Sequence, residues 1–192
     1  MRSLWLVLSV AVVLCGCSRQ NPRVLIKTRL GDIEVEVYET DAPITASNFL
    51  KYAEEERFKG ATFYRVVTMD NQPHNDVKIE VIQGGLMDDP QGLGLPPIQH
   101  ETTAATGLRH MDGTVSMARA EPGTASSEIF ICIGDQPELD FGGKRNPDGE
   151  GFAAFGRVVR GMDVVKKIQM QPAEGQMLNP EIPITAVLLV RP

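Results

Sequence analysis

The tightest constraint on this chain is its punctuation. Between residues 23 and 190 nearly every apolar run is short, rich in β-branched or aromatic residues, and bounded by glycine, proline or asparagine. Arg23 to Leu30 and Asp32 to Tyr38 flank Gly31-Asp32. The second run sets Ile33, Val35 and Val37 against Glu34 and Glu36, the period-two pattern of a half-buried strand, so an antiparallel hairpin follows. Thr62 to Val67, Ile79 to Gln83, Gly113 to Ala118, Ile129 to Ile133, Phe152 to Val159 and Ile182 to Val190 read as further strands. Two segments break the pattern. Ala46, Phe49, Leu50 and Ala53 recur at helical spacing through Glu56, behind the capping and helix-starting residues Thr40-Asp41-Ala42-Pro43. Gly161-Met162-Asp163 opens a shorter helix through Ile168. About eight strands with two helices far apart predict a mainly-β fold, a closed eight-stranded antiparallel barrel capped by the two helices, because closure removes edges that would otherwise pair.

Charge narrows the partners. The chain carries a formal net charge of −6, so it lacks the basic footprint of a nucleic-acid or anionic-surface binder, and no nucleic-acid partner is expected. Its 42% hydrophobic and 23% charged residues suit one domain of this size. No internal repeat or domain boundary is visible, and a monomer is expected. The cysteines, Cys15, Cys17 and Cys132, do not suggest a disulfide framework, since two of them crowd the N-terminus.

That N-terminus reads as an address. Arg2 precedes an apolar run from Leu4 to Leu14 broken only by Ser9, too short for the roughly 20 apolar residues of a membrane span. Leu14-Cys15-Gly16-Cys17 resembles a bacterial lipobox, with Cys17 as the lipidated residue because Leu14 is too bulky to precede the cleaved bond. The expected organisation is a lipoprotein signal peptide over 1–16, the lipidated cysteine and a short polar tether over 17–22, and one domain over 23–192. The expected location is the bacterial cell envelope, lipid-anchored, outside the cytoplasm. The alternative is an ordinary secretory signal with an incidental cysteine.

Two segments are long for loops in so small a domain, Thr68 to Lys78 and Asp140 to Gly151. His74, His100 and His110 fall in expected loops without metal-ligand spacing, so they read as solvated and no metal site is expected. Ser126 and Ser127 lack a Gly-x-Ser-x-Gly setting, leaving a hydrolase triad without support. Cys132, in an apolar strand, reads as an inert buried thiol.

Five separated pieces, taken in order, resemble the cyclophilins. They are Pro43-Ile44-Thr45-Ala46-Ser47-Asn48-Phe49; Phe63-Tyr64-Arg65-Val66-Val67; Ile82-Gln83-Gly84-Gly85; Gly113-Thr114-Val115-Ser116-Met117-Ala118 with Ser127-Glu128-Ile129-Phe130-Ile131; and Phe155-Gly156-Arg157-Val158-Val159 before Gly161-Met162-Asp163. The resemblance implies peptidyl-prolyl cis-trans isomerase activity on proline-containing polypeptides, with no cofactor. It implies that Arg65 is the catalytic arginine and that Gln83 helps hold substrate and arginine. It also implies that Val81, Phe130 and Leu139 line the proline pocket, and that the Ala118 region supplies backbone to an extended peptide. Glu128 and Phe152 stand at two further substrate-contacting positions.

Several positions depart from the family pattern. Glu80 and Val81 replace the usual aromatic and methionine, Glu128 a glutamine, Arg119 an asparagine, Phe152 a histidine and Glu138 an aromatic. Arg65 and Gln83 stand eighteen apart, so Thr68 to Lys78 reads as an insertion beside the groove. If Glu80 or Glu128 faces Arg65, an ion pair would compete with the substrate carbonyl and weaken activity. Alternatively these carboxylates orient the guanidinium, or pair with Arg119 and favour basic residues beside the proline. Three functions stand open: a lipid-anchored prolyl isomerase for exported proteins, a catalytically weak binding module for proline-containing segments or an envelope partner, and a purely structural lipoprotein.

Overall fold

In a computed structural model the chain is described from Gln20 to Val190. The signal-peptide and lipidation readings fall on residues outside that range. Nine strands form one antiparallel sheet: β1 (Arg23–Thr28), β2 (Gly31–Val37), β3 (Thr62–Val67), β4 (Val81–Gly85), β5 (Thr114–Met117), β6 (Ile129–Cys132), β7 (Ala153–Arg160), β8 (Ala173–Glu174) and β9 (Met177–Val190). Their order is β1-β2-β7-β5-β6-β4-β3-β9, and β9 pairs back onto β1, with Val24 opposite Leu189 and Ile26 opposite Val187. The sheet is thus an eight-stranded closed barrel, and β8 is a small extra ribbon folded against the start of β9. The last strand begins at Met177 rather than Ile182, so its first residues lie across β3 as well as β8.

Alternation sorts the side chains into two apolar clusters. Inward residues such as Val24, Ile26, Ile33, Val35, Phe63, Ile82, Ile131 and Phe155 fill the barrel together with Phe49 and Tyr52 from α1 (Pro43–Glu54). A second, smaller cluster lies on the outer face, where Val67, Ile79, Val81, Phe130, Cys132 and Leu139 pack together under Ala118 and Phe152. The first cluster holds the fold together. The second gives the barrel an apolar patch on its outer face.

The helices close the construction. α1 packs against β7 and β9, while α3 (Met162–Gln169) lies against β2, β3 and β4 with Val164, Val165 and Ile168 buried. A third helix beyond the two expected from sequence is one turn, α2 (Thr103–Thr106), capped by the Thr102 hydroxyl and ended at Gly107 in the left-handed region.

The expected capping of α1 by its own leading residues is not what the chain does. Ala42 stands at the cap position and makes no side-chain capping bond. Instead Glu101, 56 residues beyond Thr45, accepts bonds from the backbone N–H of Ile44 (3.2 Å) and Thr45 (2.6 Å) and from the Thr45 hydroxyl (2.6 Å). A carboxylate suits the positive end of a helix as well as its orphan N–H groups. Replacing Glu101 by Ala is expected to cost about 1–2 kcal/mol, read as a lower denaturant midpoint with an unchanged slope.

Candidate active site

The site starts from an irregularity in β3. Strand alternation would turn Phe63 inward, Tyr64 outward and Arg65 inward. Between Phe63 and Arg65 the register shifts against both neighbours, β4 and β9. One residue is absorbed there, which re-aims those that follow. Phe63 and Val66 therefore face the barrel while Arg65 and Val67 share the outer face. Across the sheet Arg65 stands opposite Gln83, Gln83 opposite Phe130, and Phe130 opposite Ser116. An arginine, an amide and an aromatic ring thus stand in one row.

They border a cavity of about 330 Å³ lined by Arg65, Asn75, Ile79, Val81, Gln83, Ala118, Arg119, Phe130, Leu139, Arg145, Asn146 and Phe152. Seven of the eight residues singled out from sequence for catalysis or substrate contact lie here. Glu128 does not. Its side chain folds over Gly85, where it accepts bonds from the Tyr64 hydroxyl (2.6 Å), the Ser127 hydroxyl (2.8 Å) and the Met87 N–H (2.9 Å).

Glu128 reaches Arg65 only through a relay. Nη1 of Arg65 donates to Gln83 Oε1 (2.7 Å), Gln83 Nε2 donates to the Tyr64 hydroxyl (2.8 Å), and that hydroxyl donates to Glu128. Burial first, and then the bond to Glu128, push the Tyr64 phenol far above its ordinary range, so it stays a donor. The direction of every bond fixes which end of the Gln83 amide faces the guanidinium.

On its other side Arg65 donates from Nε (3.0 Å) and Nη2 (2.6 Å) to Oε1 of Gln176, just ahead of β9. Gln176 is in turn held by its Nε2 on Asn71 O (3.1 Å). A guanidinium has five N–H donors. Three are used here, leaving one on Nη1 and one on Nη2. Of the alternatives open for Glu80 and Glu128, neither a direct ion pair with Arg65 nor one with Arg119 forms among the described residues. Among the described residues the Glu80 carboxylate meets only Gln169, at 3.5 Å, and Arg119 pairs with Asp148 (2.8 and 3.0 Å) and bonds Gly151 O. Arg65 is held by neutral amides and keeps its whole charge for whatever enters the cavity.

The pocket floor is braced from behind. The Phe130 ring stacks on His110 (5.8 Å between centroids, 15°) and meets Phe152 edge-on (5.2 Å), and Arg119 lies 5.3 Å from the centre of the Phe152 ring. His110 is 1% exposed, not solvated as its setting suggested. One ring nitrogen lies 2.8 Å from Asp140 Oδ1 and the other 3.0 Å from the Ser116 hydroxyl. The order Asp, His, Ser has the outline of a hydrolytic triad, but Ser116 is fully buried and no substrate can reach it. This is a prop that keeps Phe130 in place. Burial raises the Asp140 carboxyl, but the His110 ring and backbone N–H bonds outweigh it and hold the group below the usual carboxylate range.

Sequence reasoning missed Gln176. Its only signal is an amide between two strand-forming segments, which many surface positions share. Cys132 is fully buried, and burial drives its thiol far up, as expected of an unreactive cysteine. Among the described residues no group of His, Cys, Asp and Glu side chains is arranged to hold a metal ion.

Comparison with known proteins agrees with this architecture. Residues 23–188 match the family described as cyclophilin type peptidyl-prolyl cis-trans isomerase/CLD. A peptidyl-prolyl cis-trans isomerase of Acinetobacter baylyi is 34% identical over 189 residues, covering 94% of this chain and 92% of that protein. Peptidyl-prolyl cis-trans isomerase B of Escherichia coli is 32% identical over 169 residues, 86% and 95% of the two chains. The crystal structure of a Cryptosporidium parvum cyclophilin type isomerase superposes with a TM-score of 0.72 at 20% identity, over 90% of this chain and 99% of that one. The chain belongs to the cyclophilin-type peptidyl-prolyl cis-trans isomerases, a family of enzymes.

Two measurements test the geometry. Gln176→Leu removes both amide contacts to the guanidinium and is expected to lower kcat on an X-Pro peptide by about tenfold. Asp140 has a native pKa below its unfolded value of about 3.9. Near that pH the unfolded chain therefore binds more protons, and the contribution of Asp140 to stability, present above pH about 4, is lost as pH falls through the native pKa. Acid unfolding of Asp140→Asn should be flatter over that window.

Proposed function

We propose that this protein is a prolyl isomerase of the cell envelope, anchored by lipid at Cys17 and acting on X-Pro bonds of exported or envelope polypeptides. The observation that carries the catalytic part is the unneutralised guanidinium of Arg65, held by Gln83 and Gln176 beside an apolar floor.

Partial double-bond character puts the rotation barrier of a peptide bond near 18–20 kcal/mol, and uncatalysed X-Pro exchange takes tens to hundreds of seconds. In the twisted state the nitrogen becomes pyramidal and gains a lone pair. The two remaining N–H donors of Arg65 can bond that nitrogen lone pair, which the planar amide does not offer. Such differential binding lowers the barrier. Val81, Phe130, Leu139 and Phe152 grip the proline ring so that the rest of the chain turns about it. The stacking of Phe130 on His110 keeps that ring from yielding as the substrate rotates. Ala118 lines the cavity with its N–H bonded to Glu128 O (2.8 Å), so it is the carbonyl there that offers a hydrogen bond to an extended segment. A related structure determined in the presence of the dipeptide Ala-Pro supports the substrate class.

The envelope part rests on the sequence from Leu14 to Cys17. A surface anchor and the polar stretch from Ser18 to Pro22 would hold the domain close to emerging chains.

Exchange spectroscopy on short X-Pro peptides tests the enzyme reading. Arg65→Ala is expected to lower the catalysed rate by about a hundredfold or more, and Arg65→Lys to recover little of it, because a single ammonium cannot reproduce the fork. Peptide binding without acceleration in the parent protein would leave the binding-module reading in its place. For the anchor, Cys17→Ser should abolish incorporation of labelled fatty acid and release the protein from sedimented membranes.

A further inference from the structure

The cavity has a charge that the chain as a whole does not. Its lining contains three guanidinium groups and no carboxylate, in a protein with a formal net charge of −6. Arg119 is neutralised by Asp148. Arg65 belongs to the isomerisation. Arg145 is assigned to neither task.

Arg145 sits on the long segment between Asp140 and Gly151 and reaches across to the other long segment. Its Nη1 donates to Gln72 Oε1 (2.8 Å) and to Val77 O (2.6 Å). Gln72, buried, is itself locked by bonds to Thr68 O, Ile79 O and the Ile79 N–H. Both hydrogens of Nη1 are thereby used, while Nε and Nη2 make no hydrogen bond among the described residues. No ion pair among the described residues engages Arg145 or Arg65. The side chain is half-buried, rigidly placed, charged and still rich in donors, and it lines the same cavity as Arg65. Burial, and after it the charge of Arg65, lower the Arg145 pKa, as expected of two cations sharing one groove without a counter-ion.

We propose that Arg145, through its unused Nε and Nη2 donors, forms a carboxylate-accepting subsite beside the Arg65 site that selects proline-containing segments carrying an Asp or Glu beside the proline. The inference rests on the isomerase reading and specifies its substrate class. It reverses the preference for basic flanking residues that Glu80 and Glu128 suggested from sequence, because neither carboxylate reaches the cavity. A planar fork with free N–H groups suits a carboxylate, and the partial exclusion of water strengthens the contact relative to an exposed pair.

The test uses the full chain and three peptide sets, with Asp or Glu, Ala, or Lys on either side of the X-Pro bond, followed by exchange spectroscopy at low and moderate salt. For the parent protein, kcat/KM is expected to be about three- to tenfold higher for acidic than for Ala peptides, lowest for Lys peptides, with the difference shrinking as salt rises. In Arg145→Gln, which keeps a donor but loses the charge, the acidic-to-Ala ratio should fall to about one. Arg145→Lys should restore part of it. A role confined to bracing the two segments would lower all rates together and leave the ratio where it was. Equal rates on all sets in the parent protein, or a ratio that persists in Arg145→Gln, overturns the subsite. If no peptide is accelerated, the isomerase reading fails instead, and the subsite is then decided by the same ratio taken from dissociation constants in peptide titrations.

Discussion

The active groove depends on one misstep in a regular sheet. A barrel strand offers its residues alternately to the core and to solvent, and an arginine inside a core of this kind would be a buried, unpaired charge costing several kcal/mol. The shift between Phe63 and Arg65 absorbs one residue and so delivers both Phe63 to the core and Arg65 to the outer face. Everything chemical follows from that placement. Gln83 lies opposite it on one neighbouring strand, Gln176 closes on it from the segment before β9, and the apolar outer cluster begins two residues further along at Val67.

The groove is held by polar groups and floored by apolar ones, and the two sets do different work. Directional bonds through Gln83, Tyr64 and Glu128 orient the guanidinium without neutralising it. A carboxylate in direct contact would fix Arg65 more tightly but would also cancel its field. Placing the carboxylate three hydrogen bonds away gives order without cancellation. On the apolar side, His110 with Asp140 and Ser116 turns an ordinary core phenylalanine into a fixed wall.

The eight strands, their closure and the two longer helices were legible because period-two and helical patterns, interrupted by Gly and Pro, carry most of that information. The row from Arg65 to Phe130 was legible through the resemblance to a known family. What sequence could not supply were contacts whose partners lie far along the chain. The α1 cap comes from Glu101 rather than from Thr40 or Asp41, and His110 looked like a loop residue because nothing local reveals that Asp140 folds back over it. The fate of Glu80 and Glu128 was undecidable for the same reason. Charge pairing depends on side-chain direction, and the bulge that sets direction in β3 leaves no mark in Phe63-Tyr64-Arg65.

The junction at Arg145 has a consequence for how such a groove can be altered. One long segment provides the guanidinium and the other provides both acceptors, Gln72 Oε1 and Val77 O. Neither wall is self-sufficient. Transplanting the 140–151 segment alone onto a plain barrel would leave a cation without its seat, and transplanting 68–78 alone would leave Gln72 and Val77 without the guanidinium that joins them. The two behave as a single module, and a graft onto another scaffold has to carry both halves together.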